Sequence, residues 1–342
     1  GVETAHGAGI LRVSVGELRP RILRLLPRSC RAAWAPIGGR RFAVQSAPLK
    51  VLNPLDIPAM PRLLLAPMEG LADDVLREVL TRVEGYAHAV TEFARVSGSV
   101  LPARAFTRIS PELRAGSATS SGTPVRVQLL GSDPACMADN AAQLARLDPA
   151  GIDLNFGCPV PKVTRRGGGS ALPWKTDLFR EIIQRVVKVC DAANVPVTAK
   201  IRVGIDHEHE TFLEAGHIAQ EEGCKAVTLH ARTTAEYYGG HSDWSRIGEL
   251  VSELDIPVFG NGDIWGANDA LAMVAETGCA GVAIGRGCQG RPWLFADIKN
   301  AFAGSDERVD PTLGDVCRVI ERHAELLTEF YDGDERMAVH DL

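Results

Sequence analysis

Apolar and polar residues follow two alternating periods along most of the chain, which indicates repeated strand and helix units. Short apolar runs typical of buried strands lie at residues 63–66, 87–93, 125–130, 151–155, 197–202, 226–230, 256–261 and 281–285. Helical spacing of apolar residues is found between them, at 134–147, 176–192, 209–222, 244–254 and 267–277. Eight such units in about 240 residues predict an α/β protein with a TIM (β/α)8 barrel, and a doubly wound sheet is the alternative.

The pattern changes at both ends of this repeat. Residues 1–50 lack clean periodicity and hold eight Arg and one Lys against two Glu, so we expect a disordered Arg-rich leader, with a transit peptide as the alternative. The barrel is expected over residues 51–305. Helical spacing predicts a helix over 312–331, and we interpret 306–342 as the beginning of a helical domain that is truncated before it can close a core.

Composition and charge exclude several classes of protein. The 342 residues carry a formal net charge of −6, which argues against a wholly basic nucleic-acid binder. No uninterrupted apolar run reaches about 18 residues, so no membrane span is expected. None of the eight cysteines forms a C-x-x-C pair, so we predict no metal site, and the spread of thiols suits a reducing cytoplasm.

A TIM barrel carries its chemistry at the carboxyl ends of its strands. Residues that can hold a ligand end or follow every predicted strand in this sequence: Pro67, Met68, Glu92, Gln128, Asn155, Cys158, Lys200, Arg202, His230, Arg232, Asn261, Gly262, Asp263, Gly285 and Arg286. We therefore predict one functional site at the mouth of the barrel.

Two glycine-rich turns follow the seventh and eighth predicted strands, at residues 259–264 and 283–293. Backbone N–H groups of such turns hold phosphates, and barrels often build a phosphate site from these two loops. Arg286 would add a charge-assisted hydrogen bond. Ordinary tight turns are the alternative. Residues 285–290 also match G-x-G-x-x-G, but they follow the last strand of the repeat, so we reject a Rossmann site.

Three further side chains at strand ends suit a planar, anionic cofactor. Lys200 lies inside an apolar strand and needs an anionic partner, which is either a reduced flavin or a nearby carboxylate. Gln128 can hydrogen-bond a planar heterocycle or remain a satisfied buried amide. His230 ends a strand and is able to donate to a ring or a phosphate, or it is a satisfied core histidine.

Cys158 follows a predicted strand in "DLNFGCPVP" and precedes Lys162, Arg165 and Arg166. No partner pattern of a hydrolase triad accompanies it. An ordinary thiol has a pKa of about 8.5 and is mostly protonated near neutral pH, which suits a proton donor. The three basic residues would then face an anionic substrate. A structural cysteine in a turn is the alternative.

Seven segments in this order resemble the bacterial tRNA-dihydrouridine synthases. They are "APMEGLAD" (66–73), "VQLLG" (127–131), "DLNFGCPVPKV" (153–163), "AKIRVG" (199–204), "HART" (230–233), "GNGDI" (260–264) and "GRG" (285–287), and "YYGGHSDWS" (237–245) also resembles the family. The Asn-x-Gly-Cys-Pro element is the most specific. The resemblance covers about residues 60–300 and implies a tightly bound FMN at the barrel mouth.

The resemblance assigns roles to the residues predicted from the strand ends. It implies that Cys158 is the general acid and that Asn155 contacts the target base. The implied FMN-binding residues are Pro67, Met68 and Glu69 along the isoalloxazine, Gln128 and Lys200 at its polar edge, His230 near the flavin, and Asn261, Gly262, Asp263, Gly285 and Arg286 at the ribityl phosphate. The implied contacts to tRNA phosphates are Lys162, Arg165, Arg166, Arg202 and Arg232.

The implied reaction reduces the C5–C6 double bond of a tRNA uridine, with NADPH restoring the reduced flavin. The base has to leave its stack to reach the flavin. We expect a monomeric enzyme whose partners are tRNA and NADPH, and residues 306–342 would begin its tRNA-binding helical domain. Two alternatives are an FMN-dependent barrel reductase of a free small molecule and an RNA-binding barrel without redox activity.

Overall fold

The computed structural model describes residues 61–82, 86–334 and 337. Eight parallel strands form a closed barrel in sequence order, so the predicted TIM barrel is confirmed and the doubly wound alternative is wrong. The strands are β1 (Arg62–Leu65), β2 (His88–Arg95), β3 (Val125–Leu130), β4 (Ile152–Phe156), β5 (Val197–Arg202), β6 (Val227–His230), β7 (Val258–Asn261) and β8 (Gly281–Ile284). Strands β1 and β8 pair in parallel and close the ring.

Helices lie between the strands in sequence on the outside of the barrel, and two more, α9 and α10, follow the last strand. They are α1 (Asp74–Thr81), α2 (Ala103–Ile109), α3 (Pro134–Ala145), α4 (Pro161–Thr164), α5 (Thr176–Asp191), α6 (Phe212–Glu221), α7 (Ser245–Glu253), α8 (Ala267–Thr277), α9 (Leu294–Phe302) and α10 (Leu313–Phe330). Most predicted helices agree with these bounds to within a few residues. The predicted helix over 209–222 starts three residues late, because residues 204–210 form a tight turn closed by a bridge between Gly204 and Glu210.

The main apolar core lies between the strands and the surrounding helices, where residues such as Leu65, Leu129 and Phe179 are fully buried. The inside of the barrel holds a smaller apolar cluster that includes Leu64 and Phe259. The rest of the interior is polar on one side, because the strand register places Gln128, Asp153 and Thr198 next to one another on β3, β4 and β5. This polar side leads up to the mouth of the barrel.

Helix α10 follows the barrel and confirms the helix predicted near residues 312–331. It begins with a capping box in which Thr312 and Asp315 bond each other's backbone N–H groups. Leu327 of α10 packs on Val75 of α1. No helix in the described residues is long and apolar enough to cross a membrane. The predicted leader, residues 1–50, lies outside the described part of the chain, and the domain boundaries stay predictions.

Candidate active site

A cavity of about 440 Å³ opens at the carboxyl ends of the strands. Its volume is within the range of cofactor pockets. The predicted residues that line it are Pro67, Met68, Glu69, Gln128, Asn155, Cys158, Lys200, Arg202, His230, Arg232, Asn261, Gly262, Asp263, Gly285 and Arg286. The barrel fold therefore brings together residues that are more than 200 positions apart in sequence. Lys162, Arg165 and Arg166 are exposed on α4 and the turn after it, outside this lining.

The cavity wall at β5 and β6 is rich in positive charge. Burial lowers the pKa of Lys200 to about 7, with Arg202 lowering it further and Asp153 opposing the shift. Burial, together with the charges of Arg202, Lys200, Arg232 and Arg286, holds the pKa of His230 well below its usual value. His230 is therefore neutral at physiological pH. The cations of this wall favour an anionic ligand beside them, while Glu69, Glu92 and Asp263 line other parts of the cavity and Asp263 pairs with Arg232.

Arg232 holds the loop after β6 against the turn after β7. Its guanidinium forms a two-oxygen ion pair with Asp263, both at 2.8 Å, and also donates to Ser242 and to the carbonyls of Gly239 and Gly240. Burial is nearly complete at 2% exposure. These bonds occupy the donors of Arg232, so the geometry gives it a loop-positioning role, and the predicted phosphate contact stays a prediction without geometric support. The sequence alone carried no signal for this pairing.

Arg202 has a similar role one strand away. Its Nε donates to the carbonyl of Gly157 at 2.9 Å, and Nη1 donates to the carbonyls of Thr233 and Tyr237, both at 2.9 Å. Burial lowers the pKa of Arg202 to about 10. The side chain thus connects the turn of the candidate proton donor to the loop after β6. A contact between Arg202 and a tRNA phosphate stays a prediction without geometric support.

The turns after β7 and β8, which are predicted to hold a phosphate, both line the cavity. Gly262 has φ +126°, a left-handed region that disfavours other residues, and a Cβ there would collide with the hydroxyl of Ser242. Arg286 is exposed, and its guanidinium lies 5.0 Å from the ring centre of Tyr238 and 5.4 Å from that of Trp265. No carboxylate among the described residues pairs with Arg286. These turns and this positioned cation suit a phosphate group.

Cys158 lies on the opposite side of the cavity, in the turn after β4. Its backbone N–H donates to Oδ1 of Asn155 at 2.9 Å, and its carbonyl accepts from both the N–H and the hydroxyl of Ser170 at 3.1 Å. Burial raises the pKa of the thiol, while a hydrogen bond from the N–H of Val160 opposes the shift. The side chain is 8% exposed. Cys158 is therefore a neutral thiol held rigidly at the edge of the cavity.

The third glycine of the run 167–169 has a structural reason in the turn of Cys158. Gly169 has φ +57°, and a Cβ there would lie 2.5 Å from the carbonyl oxygen of Cys158 and 2.9 Å from Val163. Only glycine allows the two backbone segments to approach this closely. The segment after α4 thus supports the cysteine from behind.

Comparison with known proteins agrees with this arrangement. Residues 64–340 match the family model described as "Dihydrouridine synthase (Dus)". The chain belongs to the dihydrouridine synthase family. It is 43% identical over 305 residues to the "Probable tRNA-dihydrouridine synthase" of Mycobacterium tuberculosis strain H37Rv, a match that covers 87% of this chain and 77% of the relative. It is 45% identical over 246 residues to the "tRNA-dihydrouridine(16) synthase" of Cupriavidus necator, which covers 72% and 76% of the two chains.

Solved structures with low sequence identity share the barrel fold of this dihydrouridine synthase family member. Histamine dehydrogenase from Rhizobium sp. 4-9 superposes with a TM-score of 0.54 at 14% identity, covering 74% of this chain and 49% of that one. A variant of the protein NCR from Zymomonas mobilis superposes with a TM-score of 0.52 at 13% identity, covering 75% and 90% of the two chains. These likenesses confirm the fold alone.

The structure also adds cavity residues to which sequence reasoning gave no role. Tyr237, Tyr238 and Trp265 lie at the rim, and each is at least 40% exposed. These rings are too exposed to belong to the core. Exposed aromatic rings grouped beside a cavity are typical of ligand contacts. Asp153 lies beneath the cavity floor, within a strand that the sequence pattern predicts as apolar. Its only sequence signal is a carboxylate inside the run "GIDLN".

Proposed function

We propose that this protein reduces the C5–C6 double bond of a uridine in tRNA, with bound FMN as the hydride donor and NADPH as the source of electrons. The observation that carries the proposal is the protonated, buried thiol of Cys158 in the lining of a cavity at the strand ends that Lys200, Arg202 and Arg286 also line. The family match and the names of the two relatives support tRNA as the substrate.

The residues of the cavity fit FMN. The glycine turns at Gly262 and Gly285, together with the guanidinium of Arg286, suit the phosphate, with Asn261 and Asp263 close by. One N–H of the Gln128 amide is left after its bond to Asp153 and suits a flavin carbonyl or ring nitrogen. Pro67, Met68 and Glu69 line the wall beside β1 and suit the isoalloxazine ring. Bound FMN would supply the hydride that the side chains lack.

Lys200 and His230 would both contact the polar edge of the cofactor, Lys200 as a cation and His230 as a neutral hydrogen-bond donor. Nζ of Lys200 donates to Oδ1 of Asn261 at 3.0 Å, which leaves two donors for a ligand when the amine is protonated. A cation here stabilises negative charge that develops on a neighbouring heterocycle. Neutral His230 offers a single N–H without adding a further charge to be balanced.

Cys158 supplies the proton in this proposal. Its thiol keeps the proton in the resting state because burial raises the pKa. After the proton moves from Sγ to C5 of the base, the N–H of Val160 and the charges of Arg95 and Arg202 stabilise the thiolate, since each lowers the pKa of the thiol. Asn155 holds the N–H of Cys158 and lines the cavity, where it suits a contact with the target base.

The RNA would approach over the exposed cations beside the mouth. The side chains of Lys162, Arg165 and Arg166 are exposed and form no ion pair within the described residues. They suit contacts with the phosphates that flank a base turned out of its stack. Helix α10, which packs on α1 through one buried residue, Leu327, suits the start of a helical tRNA-binding domain over 306–342. The proposed enzyme acts as a monomer in the cytoplasm.

A reconstitution with unmodified tRNA tests the proposal. The purified protein is mixed with FMN, NADPH and a tRNA transcript, and dihydrouridine is measured by mass spectrometry of the digested RNA. We expect FMN absorbance to co-purify with the protein and dihydrouridine to form at a discrete position. Reduction of free uracil compounds or enones without tRNA turnover would favour the small-molecule reductase. Failure to bind FMN would favour a redox-inactive RNA-binding barrel.

A further inference from the structure

Asp153 is a buried carboxylate to which the reaction above gives no role. It is 3% exposed and lies on β4 inside the barrel, one level below the cavity. Arg126 lies on one side, its side chain passing 3.0 Å from the position that a Cβ of Gly151 would take, and Lys200 lies on the other. A buried carboxylate is costly unless its oxygens are bonded. The bonds of Asp153 therefore indicate what it does.

A continuous chain of hydrogen bonds runs from Asp153 to the backbone of Cys158. Oδ2 of Asp153 accepts from Nε2 of Gln128 at 2.7 Å, and Oε1 of Gln128 accepts from Nδ2 of Asn155 at 2.7 Å. Oδ1 of Asn155 then accepts from the N–H of Cys158 at 2.9 Å and from that of Gly157 at 3.1 Å. The other carboxylate oxygen, Oδ1 of Asp153, accepts from the hydroxyl of Thr198 at 2.6 Å and lies outside this chain.

The direction of the chain follows from its buried end. A carboxylate oxygen offers Gln128 an acceptor, so the amide of Gln128 turns its NH2 group towards Asp153. Its oxygen then faces Asn155, whose NH2 group turns towards it and whose own oxygen turns towards the cysteine turn. The N–H groups of Gly157 and Cys158 require the same orientation of Asn155 at the other end, so both ends of the chain fix the two amides in one direction. Without the acceptor at Asp153 the amide of Gln128 can flip, and its NH2 group would then face the NH2 group of Asn155 and weaken the hold of Asn155 on the cysteine turn.

We propose that Asp153 is a positioning residue that fixes the side-chain amides of Gln128 and Asn155 and, through them, the turn that carries Cys158. The catalytic meaning of the turn rests on the proposed function, in which Cys158 is the proton donor. The chain itself does not depend on that reaction. Substituting Asp153 in the barrel interior should therefore weaken the hydrogen bond of the Cys158 N–H, although two amide side chains lie between them.

Selective labelling with ¹⁵N-cysteine tests the proposal without any activity measurement. The eight cysteines give at most eight amide signals, and the signal lost in Cys158→Ala identifies Cys158. In Asp153→Leu we expect hydrogen exchange of the Cys158 amide to be at least about tenfold faster. The Cys190 amide in α5 serves as the internal reference and should change less than about threefold. Gln128→Met breaks the chain at its middle and should have the same effect, and it decides the result if Asp153→Leu does not fold.

Two matched variants separate orientation from charge and from general damage. Asp153→Asn keeps an acceptor oxygen for Gln128, and Thr198→Val removes only the bond to the other carboxylate oxygen. We expect both to keep exchange of the Cys158 amide within about threefold of the wild type. Unchanged exchange in both Asp153→Leu and Gln128→Met would overturn the proposal, as would exchange in Asp153→Asn that is as fast as in Asp153→Leu.

Measurements of kcat and KM separate this inference from the proposed function. With FMN bound, Asp153→Leu should lower kcat for dihydrouridine formation about tenfold or more and leave KM for tRNA unchanged, while Asp153→Asn restores most of kcat. If Cys158→Ala keeps full activity, the proton-donor role fails. The exchange results still decide whether Asp153 positions the turn.

Discussion

Substituting Gly169 with alanine should disable the enzyme far more than it destabilises the fold. The Cβ that Gly169→Ala introduces would lie 2.5 Å from the carbonyl oxygen of Cys158, about 0.9 Å closer than the 3.4 Å at which ordinary van der Waals contact begins. Either the cysteine turn or the segment after α4 has to move by that amount. A misplacement of about 1 Å at a reacting group lowers rates by about 10²-fold, so we expect a loss of this size in dihydrouridine formation.

Gly167→Ala is the matched control, because Gly167 has φ +73° and lies two residues away in the same segment. Its new Cβ would meet only the flexible end of Lys175, at 3.0 Å. Both variants bear the left-handed cost of about 1–2 kcal/mol, which lowers Tm by about 2–4 °C per kcal/mol. We expect Gly167→Ala to keep its rate within about threefold once folded. Equal rates for the two variants, measured with FMN bound, would refute the argument that Gly169 positions Cys158.

Three further predictions concern the charges around the cavity. Arg286→Ala should weaken FMN binding about 10- to 100-fold, measured by fluorescence titration, and unchanged affinity would remove Arg286 from the phosphate site. Lys200 has a pKa of about 7 in the folded protein, against an ordinary value of 10.5. Between these two pH values the unfolded chain binds one more proton at Lys200 than the folded chain does. The contribution of Lys200 to the free energy of unfolding therefore rises with pH. The gain in Tm of the FMN-free protein from Lys200→Met should therefore be largest below pH 7 and shrink towards pH 10; a constant gain would contradict this. Salt dependence is measured as the slope of log K for tRNA binding against log salt concentration. Replacing both Arg165 and Arg166 by alanine should reduce the size of this slope by about 0.7–0.9 per lost phosphate contact, while Arg185→Ala on the outer face of α5 leaves the slope unchanged.

The barrel and the position of its site follow from local patterns in the sequence. Each strand is a short apolar run and each helix has an apolar face, so counting eight units favours the barrel, and the pairing of β1 with β8 excludes the doubly wound alternative. Parallel strands then place all their carboxyl ends on one side. Gln128, Lys200 and His230 could be assigned to one cavity for this reason, although the sequence left open whether each was satisfied by protein or by a ligand.

The partners within the site depend on strand register, which no local pattern reports. Asp153 lies beside Gln128 and Thr198 only because β4 pairs with β3 and β5 at those positions. The ion pair of Arg232 with Asp263 likewise joins two loops that are 31 residues apart. Arg232 bonds a carboxylate and backbone carbonyls there, and Arg202 bonds backbone carbonyls, although both are predicted to contact phosphates. Charge alone does not distinguish a cation that faces RNA from one that holds a loop.

The rate of dihydrouridine formation by Cys158→Ala tests the central claim most directly. Wild type and variant are compared at equal FMN occupancy, checked by flavin absorbance, with the same unmodified tRNA and NADPH. A neutral thiol that delivers the proton predicts normal FMN binding and a rate lower by about 10²- to 10⁴-fold. A variant that forms dihydrouridine as fast as the wild type would contradict the account.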